Sequence, residues 1–188
     1  MPIFSLLVQI PKGVQMEDVK KHIGNVLEPY SERKQVDKQV YKTKEELRAE
    51  YETFPFPNGY KLPYKTWLED WYDDMEFDTD GNVVSTKNPY GKWDEWSVSE
   101  QFPTKLINQS GENCVVARVK DINLAALDGF YTHSVLDESG RWFSSKHINY
   151  WAKKSGDEDS NLWKSNFIQR FIGCLDADDI VAIVHCHI

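Results

Sequence analysis

Lys92 and Asp94 stand two residues apart beside Trp93 and Trp96, inside the stretch Asn88-Pro89-Tyr90-Gly91-Lys92-Trp93-Asp94-Glu95-Trp96. On a strand, residues two apart share a face, so the ammonium and the carboxylate would project together while Trp93 points away. A charged pair at the mouth of a pocket walled by Trp93, Trp96 or Trp142 suits a nucleotide-sized ligand, because rings stack on the base and charge fixes its orientation. Arg141, next to Trp142, completes this candidate ligand set. The plainer alternative is a surface ion pair worth little, lying over tryptophans that belong to the core. Sites are few per protein, which favours the plainer alternative.

A second group is the acidic run Glu69, Asp70, Asp73, Asp74, Glu76, Asp78 and Asp80. Glu76-x-Asp78-x-Asp80-Gly81 imitates the front half of a calcium loop, but the position that should carry a bidentate glutamate holds Lys87. The run therefore reads as a solvated helix face ending in a turn. Its second reading is an acidic docking surface that includes Glu69, Asp70, Asp73, Asp74, Asp78 and Asp80. The third group is His185-x-His187, whose imidazoles would share one strand face, with His133 or His147 as a distant further ligand for zinc. One two-residue pair is a weak metal signal, so the expectation is no bound metal and no cofactor. Cys114, Cys174 and Cys186 have no CxxC spacing and read as small core residues. No phosphate-cradling, zinc-protease or nucleophile-elbow motif is complete, which leans against an enzyme.

The elements that position these residues follow from apolar patterning. Residues 3–10 form a short apolar run closed by Pro11-Lys12-Gly13, a buried strand. Met16, Val19, Ile23, Val26, Leu27 and Tyr30 recur at helical spacing. Residues 31–53 are charged and poor in large apolar side chains, a peripheral segment with a short solvent-facing helix over 45–50. A loop through Phe54-Pro55-Phe56-Pro57-Asn58-Gly59 precedes a helix over 64–76 with Trp67, Leu68, Trp71, Tyr72 and Met75 along one stripe. Strands are expected over 83–86, 93–98 and 114–119, with a hairpin joining 130–136 to 141–144; residues 122–127 are ambiguous. Asp159 or Ser160 would cap a last helix bearing Trp163, Phe167 and Phe171 every fourth residue, and residues 180–188 make an apolar strand inside the sheet. The expected fold is a single α+β domain over residues 1–188, with helices packed on a mixed or mostly antiparallel sheet.

Composition bounds the rest. A chain of 188 residues suffices for one full core and is short for two. Seven Trp, nine Tyr and nine Phe make that core aromatic and leave rings for recognition. A net charge of −8 argues against phosphate-backbone binding, so nucleic acid is an unlikely partner and a basic protein surface a more natural one. No apolar stretch reaches membrane-spanning length and no signal-peptide pattern opens the chain, so the expectation is a cytoplasmic protein without a membrane partner.

In order along the chain come Leu27-Glu28-Pro29-Tyr30, Trp67-Leu68-Glu69-Asp70-Trp71-Tyr72, Gly81, Asn88-Pro89, Lys92-Trp93-Asp94, Gly140-Arg141-Trp142 and Cys186-His187-Ile188. This order resembles a family of uncharacterised proteins from bacteriophages and bacterial genomes with the pattern N-P-x-x-K-W-D-W-Y-x-I-G-G-R-W. The chain departs from that pattern after Asp94. Glu95-Trp96 replaces Trp-Tyr, Ser99-Glu100-Gln101-Phe102 replaces G-G-R-W, and His185-Cys186-His187-Ile188 replaces D-C-H-I. The resemblance implies a shared fold and a phage-type accessory role, and it carries no reaction with it. Together with the acidic charge and aromatic excess, it makes the expected function binding, foremost inhibition of a host protein such as a defence component. A small-molecule or nucleotide binder is the alternative, and a metal-dependent hydrolase comes third.

Overall fold

The structure, a computed structural model, describes residues 3–73, 75–145 and 160–187. Along the chain run β1 (Ile3–Ile10), α1 (Val19–Leu27), β2 (Gln35–Lys42), α2 (Lys44–Thr53), α3 (Tyr64–Trp71), β3 (Glu76–Phe77), β4 (Val83–Lys87) and β5 (Glu95–Ser97). Then follow β6 (Leu106–Ile107), β7 (Asn113–Cys114), β8 (Val116–Arg118), β9 (Ser134–Leu136), β10 (Trp142–Ser144), α4 (Ser160–Phe171) and β11 (Ile180–His187). The fold is α+β with mixed and antiparallel sheets, as the patterning predicts. These elements divide into two compact units: Met1–Ser31 with Lys92–Ile188, and Glu32–Gly91 between them.

The larger unit is built on one sheet of order β10-β9-β1-β11-β5, with β8 also pairing β11. β1 and β11 are antiparallel in unbroken register from Ile3 opposite His187 to Ile10 opposite Ile180. Their alternate side chains enter two cores. Phe4, Leu6, Val8, Ile180, Ala182, Val184 and Cys186 meet Val19, Ile23 and Leu27 of α1. On the other face Leu7, Val181 and Ile183 meet Trp163, Phe167 and Phe171 of α4. A helix on each face explains why both strands are apolar without alternation. The spacing of four along each helix puts the three large residues on one stripe.

Two buried side chains in these layers donate to backbone carbonyls. The Gln9 amide donates to Phe171 O at the end of α4 (2.8 Å), and the Trp163 indole N–H donates to Thr132 O (2.8 Å). Carbonyls in the last turn of a helix have no partner of their own, so the Gln9 bond satisfies two groups at once.

The smaller unit has its own sheet, β2-β4-β3, and its own core of Leu47, Tyr51, Trp67, Tyr72 and Val83. Trp67 lies at the centre: Tyr64 stacks on it at 5.9 Å, and Tyr51, Phe54 and Tyr72 meet it at steeper angles between 5.6 and 5.8 Å. Thr43 caps α2 through a reciprocal pair with Glu46, which fixes where the helix starts.

Several expectations need correction. Residues 31–53 are not simply peripheral: they contain β2, and they contain α2 over Lys44–Thr53, whose Leu47 and Tyr51 are core residues. The strand went unread because β2 is an exposed edge with charged Asp37, Lys38 and Lys42 rather than an apolar alternation. α3 ends at Trp71, since Tyr72 leaves helical geometry at φ −134°. Residues 114–119 are two strands, because Cys114 pairs into β6 whereas Val116–Arg118 pairs with β11. Residues 122–127 contain a single 3-10 turn, Leu124–Ala126, with Asn123 as its cap.

The chain leaves and re-enters the larger unit at neighbouring points. Ser31 bridges Trp93 in parallel, and Lys92 N–H donates to Tyr30 O at 2.7 Å. Closely spaced ends are what allow an insertion without cost to its host. Replacing residues 33–90 with a short Gly-Ser linker should therefore leave a larger unit that unfolds cooperatively in urea, followed by circular dichroism. A non-cooperative, molten profile would show that the host depends on its insert.

Candidate functional site

The nine-residue motif lies across the division between the units, with Asn88–Gly91 in the smaller and Lys92–Trp96 in the larger. At Gly91 an added Cβ would stand 3.1 Å from Glu32 Cα and 3.2 Å from Asn88 O, so this glycine permits a close backbone approach. Lys92, Trp93 and Asp94 precede β5 rather than sitting on it, and the shared-face argument for Lys92 and Asp94 fails there. Asp94 N–H donates to His187 O at 3.0 Å, which carries the chain onto β11 before regular pairing begins at Glu95 opposite His187.

The three tryptophans of the candidate pocket are packed into the α1 side of the larger unit. Trp93 is 8% exposed, and its indole N–H donates to Leu27 O at the end of α1 (3.1 Å). Trp96 packs against the same core, and a Cβ added at Gly24 of α1 would meet its ring at 3.5 Å, an ordinary van der Waals contact. Trp142 contacts Phe4 (6.3 Å) and Tyr30 (5.0 Å), and its N–H donates to Ser144 Oγ (2.9 Å). Arg141 is held by Asp137, with Nε and an NH2 nitrogen each 2.9 Å from Oδ2, so it closes the hairpin turn. Asp137 accepts further from Ser139 and from Arg141 N–H, and these bonds hold its carboxyl below the usual range against a burial effect that raises it. Of the candidate ligand set, Trp93 is core, Trp96 and Trp142 are half-buried against it, and Arg141 is committed to a turn.

The acidic candidates all belong to the smaller unit, and the Asp74 part of that reading lies outside the described residues. Asp78 accepts from the side chain and backbone N–H of Asn82 and from Asp80 N–H, which lowers its pKa and fixes the turn rather than a cation. Glu76 is paired with Lys38, and Glu69 with Lys65 one helical turn away (3.7 Å). Asp70, Asp73 and Asp80 are exposed. Between these carboxylates stand two large apolar rings, Trp71 at 60% and Phe77 at 43% exposure.

His185 and His187 share a face of β11, as their spacing predicts. Among the described residues no three His, Cys, Asp or Glu side chains stand close enough together to hold a metal ion. His147 lies outside the described residues. The structure instead places His185 in a polar row that the sequence reading missed. Ser5 is the register partner of His185 on one side and Ser97 on the other. Ser5 Oγ lies 3.1 Å from His133 Nδ1, and the backbone continues the row through His133 to Ser145, whose N–H donates to His133 O (3.1 Å). Ser145, His133, Ser5, His185 and Ser97 thus line up across the sheet, with His133 just before β9 and Ser145 just after β10. The available signal was a polar residue, Ser5 or His185, at the same inward parity in two otherwise apolar strands.

Comparison with known protein families, with curated proteins and with solved structures finds no match for this chain. Among the described residues no helix is long and apolar enough to cross a membrane.

Two measurements check this placement. Trp93→Ala should lower unfolding stability by about 3–5 kcal/mol in urea titration, the cost of emptying a buried ring site. A variant as stable as wild type would return Trp93 to the surface. The thiols should separate by environment: Cys174 is exposed and should react at once, whereas burial pushes Cys186 up to about 12. At pH 8 Cys186 should stay unmodified until the protein unfolds, since the thiolate is the reactive form.

Proposed function

We propose that this protein works by binding another protein, as a phage-type accessory protein that inhibits a host protein, and that its binding surface is the acidic, aromatic face of the smaller unit. The observation that supports this reading is the exposure of Trp71 and Phe77 within a stretch that carries seven acids over residues 69–80 and not one Lys or Arg. Large rings left in water at the side of an otherwise well-packed aromatic core are uneconomical for stability and are the residues that anchor protein interfaces. Trp71 is held from behind by Phe54, with ring centroids 4.9 Å apart, so the ring is positioned with little further loss of freedom on binding. The surrounding carboxylates favour a basic partner and would speed its encounter at low salt. The host and phage parts of the reading rest on the sequence resemblance.

Competition by a nucleotide-sized ligand has less support. Stacking needs free ring faces, and Trp93 is buried in the core of the larger unit while Trp96 and Trp142 are half-buried against it.

The test is capture from a bacterial lysate by immobilised wild type, Trp71→Ser and Asp70→Lys/Asp80→Lys protein. A specific band held by wild type should fall at least tenfold with Trp71→Ser and weaken with the charge reversal. Equal retention by all three, or no band above a charge-matched control, would end the proposal.

A further inference from the structure

The row from Ser145 to Ser97 contains two imidazoles at the margin of the α4-side core. His185 is 3% exposed and Ser5 4%, and neither ring nitrogen of His185 meets a hydrogen-bond partner among the described residues. Phe102 covers the His185 ring, stacked at 4.0 Å with 22° between planes. A buried imidazole without a partner is costly, and a buried imidazolium without a counter-charge is far more so.

Among the described residues, the groups around these rings offer no such counter-charge. β1 presents Ser5 to His185, β5 presents Ser97, and the 99–105 segment presents Phe102. Among the described residues, the titratable neighbour that acts on His185 is His187, itself a base, and Glu95 stands opposite His187 rather than His185. Glu100, on the Phe102 segment, acts on Cys114. Around His133 stand Ser5, Ser145 and Tyr131, and the charge acting on it is the Lys164 ammonium of α4. Burial first, then Lys164 at His133 and the neighbouring His187 at His185, depress both histidines.

We propose that His185 and its Phe102 cover form a pH-sensitive latch, in which protonation of the ring drives it out of the row and releases β5 and the 99–105 segment from the sheet edge. The sign follows from the depressed pKa. The open state takes up a proton near the ordinary histidine value of about 6.5, and the closed state takes it up only at lower pH. Closure is therefore complete above that value and is lost progressively as the pH falls below it. His133 keeps Ser5 as a partner and a more exposed ring, so the latch is centred on His185.

The experiment is amide hydrogen exchange of β5, expressed as protection factors so that intrinsic pH effects cancel. Protection in wild type should fall about tenfold between pH 7.5 and 5.5, the expectation for one proton taken up on opening. His185→Phe keeps the stack without the charge and should flatten that dependence, whereas His133→Gln should leave it. A pH-independent wild type, or a His185→Phe protein with the same fall, overturns the proposal. If His185→Phe does not fold, imidazole NMR of wild type decides. Proton uptake by His185 must coincide with loss of β5 protection, and a ring that titrates near 6.5 with the sheet intact also overturns it.

Discussion

The antiparallel pairing of β1 with β11 is the constraint from which the larger unit follows. Eight residues on each strand are locked in register, with Leu6, Leu7, Val8 and residues 180–184 wholly removed from water. A slip of one residue would exchange the faces, driving Ser5, Gln9 and His185 into the α1 side and Leu6 and Val184 into the α4 side. Both flanking helices are fixed by this register, because α1 and α4 pack on alternate residues of the same two strands. β9 then pairs the other edge of β1, and β5 and β8 the other edge of β11.

The aromatic excess is divided between two cores of different construction. In the larger unit, tryptophan N–H groups reach specific oxygens, as Trp93 does at Leu27 and Trp163 at Thr132. In the smaller unit, Trp67 is enclosed by other rings, and its N–H meets no acceptor among the described residues. A ring-lined core around 60 residues long must extract much of its stability from few side chains, and cations over ring faces help. Arg48 lies 3.7 Å from the Tyr64 ring centre and Lys61 4.5 Å from that of Tyr51. Trp71 and Phe77 are what this economy leaves outside.

The fold class and the long elements β1, α1, α4 and β11 were legible because burial on a fixed face imposes a period on the sequence. β2 was not, since an exposed edge strand is selected for charge rather than period. The split at Val115 was also illegible: it depends on which strand each half pairs with, and that is a long-range fact. The same limit governs the candidate site. Residue types at Lys92–Trp96 fit a pocket, but whether a tryptophan lines a cavity or fills it depends on residues such as Gly24 and Leu27, about seventy positions away. The Ser5–His133–His185 row comes from three strands distant in sequence, and only their pairing brings it together.

The adjacency of Ser31 and Trp93 has a consequence for the order in which the molecule takes shape. All of the smaller unit's residues, 32–91, emerge during synthesis before β5, β8, β9 or β11 exists. Its β2–β4 pairs lie 41 to 52 residues apart, from Lys42 with Val83 to Gln35 with Lys87, against 170 to 184 for β1 with β11, so less chain must be closed to make them. The larger unit's sheet must instead wait for β11, leaving β1 and its apolar side chains without their principal partner until residues 180–187 have been made. A folded insert that gathers residues 31 and 93 together shortens the effective loop between β1 and the rest of its sheet. The smaller unit would then act as a clamp on the nascent chain, lowering the entropy that the β1–β11 encounter has to overcome.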